Sequence, residues 1–171
     1  MNARPLLILA MLLVLPAQAS VRATFERQAD ALSVKYSLPS GMLKAVCRIE
    51  SNWEQAAIGD DGRSIGLCQI QIDTALALYG KHWQRDKPEA ERRAIVRRNL
   101  LNPTVNMTLA AILLRRYLDR FGGDETIAIL AYNGGPDNMM IRHLLRYRAA
   151  RAHYQERTKI TCPSCGCWDH L

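Results

Sequence analysis

The chain of 171 residues lacks any apolar run long enough to cross a bilayer, which as a helix takes roughly 20 residues. Its one long apolar stretch, Leu6 to Leu15, falls short of that, so no stable membrane anchor is expected. It has no internal repeat and no low-complexity segment, and therefore reads as a single folded unit rather than an array. Acids are in short supply, 16 Asp and Glu against 23 Lys and Arg, and the formal charge of +7 favours an anionic partner such as a cell-wall polymer. Nucleic acid would match the charge but not its layout. The bases are spread through Arg92-Arg93, Arg97-Arg98, Arg115-Arg116 and Arg142 to Arg151 at helical spacing, the pattern of solvated helix faces.

What stands at the N-terminus is a basic start with Arg4, the apolar stretch, and Pro16-Ala17-Gln18-Ala19-Ser20, an A-x-A cleavage pattern. Residues 1–19 are thus expected to be a signal peptide, and the remaining chain to act outside the cytoplasm, in the periplasm. Cleavage would remove one charge, Arg4, and leave about 152 residues, an ordinary length for one domain. All five cysteines lie beyond the cleavage point, and an oxidising compartment favours pairing of an even subset. Cys162, Cys165, Cys167 and His170 have zinc-ligand types, but at unusual spacings, and export favours oxidation over metal binding. No metal and no cofactor is expected.

Between the ends, apolar spacing and breakers predict a mainly α domain over residues 20–158 with a Cys-rich tail at 159–171. A first helix spans Val21 to Tyr36 and stops at Leu38-Pro39-Ser40. A second carries Met42, Leu43, Ala45, Val46 and Ile49 up to Glu50-Ser51. After the turn signals Gly59-Asp60-Asp61-Gly62, alternation from Ser64 to Ile72 predicts a short strand or extended loop. Helices then follow from Asp73-Thr74 to Tyr79, from Pro88 to about Leu100, from Asn102-Pro103 to Gly122-Gly123, from Asp124 to Tyr132, and from Asp137 to about Glu156.

Three clusters hold residues suited to chemistry. Glu50 sits near a helix C-terminus beside Ile49, where burial and the helix dipole both disfavour a charged carboxylate, as an acid catalyst needs. A lone Glu in such a place is more often simply solvated. Gly66 has no side chain to hold a ligand off, and Gln69 and Gln71 offer hydrogen bonds to a hydroxyl or acetamido group; the plainer reading is a half-buried strand. Tyr132 and Asn133 precede a Gly-Gly-Pro break, where side chains project into a cleft and Tyr132 can reach the catalytic carboxyl; alternatively they are a core residue and a C-cap. Asp60 and Asp61 read as turn residues that can lie at the cleft edge.

Taken in order, Glu50-Ser51, Gly66-Leu67-Cys68-Gln69 and Ala131-Tyr132-Asn133 resemble the Glu-Ser, Gly-Leu-Met-Gln and Ala-Tyr-Asn motifs of the family 1 (soluble-type) lytic transglycosylases, whose fold is goose-lysozyme-like. The resemblance covers about Phe25 to Tyr154 and includes Asn102-Pro103 before a long helix. It implies a lysozyme-like helical domain with a short extended or β segment beside a cleft. It further implies non-hydrolytic cleavage of peptidoglycan between N-acetylmuramic acid and N-acetylglucosamine, with Glu50 as acid and then base. Gln69 and Tyr132 would line or support the site. Compact members commonly serve envelope-spanning secretion or pilus machines, so such subunits are the expected partners besides glycan strands, with the protein itself a monomer. A water-using muramidase of the same fold and a non-catalytic wall-binding component are the alternatives. Two positions depart from the family: Cys68 replaces the usual Met, and Gln71-Ile72 replaces Met-Pro. Cys47 lies one helical turn before Glu50, so a Cys47–Cys68 disulfide would tie the catalytic helix to the Gln69 segment; two small buried residues are the competing reading.

Overall fold

Breakers and caps delimit the helices. The computed structural model describes the backbone of residues 4–135 and 141–160 and the side chains of residues 20–135 and 146–156. Helix α1 (Arg4–Lys35) is followed by α2 (Met42–Ser51), which begins after Gly41 and ends where Asn52 and Trp53 take left-handed backbone angles. That abrupt stop puts Glu50 in the last helical turn. Then come β1 (Ile58–Gly59), a 3-10 turn (Asp60–Gly62), β2 (Ser64–Ile65), β3 (Ile70–Gln71), α3 (Ile72–Tyr79) and α4 (Glu89–Leu100). Helix α5 (Pro103–Arg120) starts at Asn102, whose side chain accepts the Val105 N–H at 3.2 Å with Pro103 in the first turn. Asp124 caps α6 (Glu125–Gly134) through the Ile127 N–H at 3.0 Å, and α7 (Ile141–Ile160) follows.

The three strands form one antiparallel sheet in the order β1-β2-β3, pairing Ile58 with Ile65 and Ile65 with Ile70. The segment from Ser64 to Ile72 is therefore not one extended run. It is a hairpin whose turn, Gly66 to Gln69, is made by left-handed angles at Gly66 and Gln69, and Ile72 already belongs to α3. The apolar-polar alternation is misleading here because Leu67 and Cys68 are both fully buried inside the turn.

Helix α5 is the axis of the core, packed against α1, α2, α4 and α6. Its buried residues include Met107, Ala111, Leu114 and Leu118, whereas Val105, Leu113 and Tyr117 are only half-buried. With neighbours on several sides, α5 has no single apolar stripe. Helix α7 backs α2: Trp53 Nε1 donates to the Tyr154 hydroxyl at 3.1 Å, Arg146 donates to the Ile49 carbonyl at 3.2 Å, and Arg151 to the Ser40 carbonyl at 3.2 Å. Other bases pair along their own helices. Arg115, for example, pairs with Asp119 at 2.6 Å, and Arg93 with Glu89 at 3.7 Å. The tail expected from residue 159 starts inside α7, and Cys162, Cys165, Cys167 and His170 lie outside the described residues. No helix among the described residues is long and apolar enough to cross a membrane, and none of their side chains group as a metal site.

Candidate active site

A cavity of about 430 Å³ opens where α2, the hairpin, α5 and α6 meet. Glu50 enters it from the last turn of α2, half-buried, and Gln69 and Gln71 line it from the hairpin. Tyr132 and Asn133 line it from the end of α6, with Leu113 and Tyr117 contributed by α5. Folding thus gathers the Glu50 carboxyl and several hydrogen-bonding groups from distant stretches of the chain into one recess. A carboxyl so placed can give and retrieve a proton on a bound ligand.

Ser51 and Gly66 do not line the cavity; they build its wall. The Ser51 hydroxyl donates to the Leu67 carbonyl at 2.6 Å and so joins the end of α2 to the hairpin turn. Gly66 does leave room for a close neighbour, but that neighbour is protein: an added Cβ would come within 2.5 Å of both Asn106 Nδ2 and the Leu100 carbonyl. Gln69 is also committed. Its Nε2 donates to the Gly66 carbonyl at 2.9 Å and the Ala57 carbonyl at 3.2 Å, so its amide hydrogens hold the loop rather than wait for a sugar.

Tyr132 donates its hydroxyl proton to the Cys68 carbonyl at 2.7 Å. Burial, and after it the charge of Glu50, pushes the Tyr132 phenol well above its ordinary pKa of 10.0, so it stays protonated at neutral pH. Cys68 is joined to Cys47 by a disulfide, and both residues are fully buried. The bond links α2, one turn before Glu50, to the same hairpin turn that Ser51 and Tyr132 grip.

A family model for the transglycosylase SLT domain matches residues 28–155. The chain belongs to the SLT transglycosylase family. A similar solved structure is that of an inactive mutant of lytic transglycosylase Slt from Pseudomonas aeruginosa, at 22% identity and a TM-score of 0.53. The match covers 84% of the present chain but spans only a quarter, 25%, of that protein's length. At this identity the likeness speaks to the fold, and it places the SLT chain among mainly helical, lysozyme-like domains with a small antiparallel sheet.

Of the two turn residues expected at the cleft edge one lines this SLT domain's site, and other residues around it were not singled out from the sequence. Asp60 lines the cavity and accepts a hydrogen bond from Ser64, which also lines it, whereas Asp61 stays outside. Thr74 and Tyr117 complete the wall. Nothing in the local pattern marks Thr74 or Tyr117, since each sits in an ordinary helical register. For Asp60 the signal was its place in a turn between two motifs. Asn106, buried beneath the hairpin, gave no signal, because a lone Asn in a helix of mixed polar and apolar residues reads as an ordinary surface position.

Proposed function

We propose that the protein is a peptidoglycan lytic transglycosylase of the bacterial envelope. The observation that carries this reading is the convergence of Glu50, Gln69, Tyr132 and Asn133, from three separate motifs, on one cavity. Glu50 gives its proton to the oxygen between N-acetylmuramic acid and N-acetylglucosamine as the C1–O bond breaks. The substrate's acetamido group supports the positive charge at C1. Glu50 then takes the proton of the muramyl C6 hydroxyl while that oxygen bonds to C1, which leaves a 1,6-anhydro end and consumes no water. In the similar Slt structure a single glutamate-to-glutamine change accompanies inactivity, in keeping with such a role for one acidic side chain.

Residues 1–19 direct export, the site of action is the periplasm, and the basic surface favours an anionic wall. Its use is local wall opening for an envelope-spanning secretion, conjugation or pilus machine, whose subunits are its partners. A second reading, hydrolysis by a water molecule, draws support from Asp60, a second carboxylate in the same cavity.

Digestion of purified peptidoglycan beside Glu50→Gln tests both readings. Wild type should release muropeptides whose muramyl ends are one water lighter than reducing ends, and the variant should lose activity by roughly 10²–10⁴-fold. Equal release by the two proteins would overturn the mechanism. Reducing ends would select the hydrolytic reading.

A further inference from the structure

The hairpin turn is held in an unusual way. Four consecutive carbonyls, from Ile65 to Cys68, each accept a hydrogen bond from a different side chain. Gln69 serves Gly66, Ser51 serves Leu67 at 2.6 Å and Tyr132 serves Cys68 at 2.7 Å, all three from the recognised motifs. The fourth is Asn106 of α5, whose Nδ2 donates to the Ile65 carbonyl at 2.7 Å.

Asn106 is 0% exposed and spends every remaining polar contact nearby: Nδ2 also donates to the Leu100 carbonyl at 3.0 Å, and Oδ1 accepts the Cys68 N–H at 2.8 Å. The Cys68 residue is thereby fixed at three points. Asn106 holds its amide, Tyr132 its carbonyl, and the disulfide to Cys47 its sulfur. Through these bonds α5, α6 and α2 all bear on a single residue. Gly66 fits the same arrangement, because any side chain there would push Asn106 out of the turn.

We propose that Asn106 is a positioning residue for the reaction: by locking the Cys68 peptide it sets where the Tyr132 hydroxyl sits in the cavity that holds Glu50. It does not line the cavity and touches no substrate. A displacement of about 1 Å in a group beside the reacting atoms can cost on the order of 10²-fold in rate, so a buried amide can control turnover at a distance. This rests on the transglycosylase reading for its catalytic part, while the clamp itself can be measured without activity.

Two variants and the wild type test it, with a soluble glycan fragment of alternating N-acetylglucosamine and N-acetylmuramic acid as substrate and amide hydrogen exchange as a second readout. Asn106→Leu removes all three hydrogen bonds, and kcat should fall about tenfold or more with KM within about twofold, since the lost geometry concerns the chemical step. Its Cys68 amide should exchange at least about tenfold faster than in wild type. Asn106→Asp keeps the acceptor for that amide and loses both donations, so kcat should fall while Cys68 exchange stays slow. In the wild type, Cys68 should exchange as slowly as the core helices although it lies in a turn. The proposal is overturned by a folded variant with unchanged kcat, by a rise in KM alone, or by fast Cys68 exchange in the wild type. Should neither variant fold, the wild-type exchange decides. Failure of the transglycosylase reading would appear separately, as a wild type without activity on the glycan.

Discussion

A phenol has one proton to give, and Tyr132 gives it to the Cys68 carbonyl. Towards any other neighbour its oxygen can then act only as an acceptor, suited to the acid form of Glu50 from which the proposed reaction starts. Glu50 is close enough for its charge to raise the Tyr132 phenol, second only to burial. Replacing Tyr132 by Phe leaves the Cys68 carbonyl without its partner in a buried place, which should cost about 1–3 kcal/mol of stability. Turnover should fall by about tenfold or more because the turn loses one of its grips, and KM should move less. Urea denaturation and steady-state kinetics check the two effects; a Phe variant as stable and active as wild type would remove Tyr132 from the mechanism. At this scale the sequence was informative where a residue type carries its own chemistry. Glu50, Tyr132 and Asn133 could be named as candidates through the family resemblance of their motifs, but where Tyr132 sends its proton depends on a carbonyl 64 residues away.

The hairpin is the element on which the other pieces depend. Its turn was hidden in the sequence because Gly66 and Gln69 reverse the chain without a Pro or an Asn-Gly pair, and the period-two pattern runs on through them. The helices around it were legible, since Asn102-Pro103 and Asp124 are strong starts and Gly122-Gly123 a strong stop. Cys47 and Cys68 were legible as candidates for pairing. Their bond closes a loop of 21 residues between α2 and the hairpin. Substituting both by Ala should lower the unfolding free energy by about 3 kcal/mol in the chain-entropy account, read from the urea midpoint. Activity should fall too, because the turn bearing Gln69 would no longer be tied to the helix bearing Glu50. A double variant that unfolds at the wild-type midpoint and retains full activity would show the bond to be incidental.

Three tyrosines, Tyr147 and Tyr154 buried and Tyr132 half-buried, join elements that are far apart in the chain. Tyr132 links α6 to the hairpin, Tyr147 of α7 reaches Glu125 of α6 at 3.4 Å, and Tyr154 of α7 bridges Trp53 and Glu26. The element order could be inferred from sequence, but this stitching could not, since α7 folds back on α2 and α1 from about a hundred residues away. Burial raises all three phenols above their ordinary value of 10.0, though for Tyr154 the Trp53 hydrogen bond partly offsets it. The unfolded chain therefore releases these protons first as pH rises. Their contribution is fully present below pH 10 and is lost above it, at about 1.4 kcal/mol per pH unit for each phenol that stays protonated in the fold. Stability should thus be level from pH 8 to 9 and drop steeply between 10 and 11, with the phenolate absorbance of three of the six tyrosines appearing only together with unfolding. Lysines titrate in the same range, and that absorbance separates the two causes. If all six tyrosines ionise near pH 10 while the protein remains folded, these three are not the seams that hold α7 against α2.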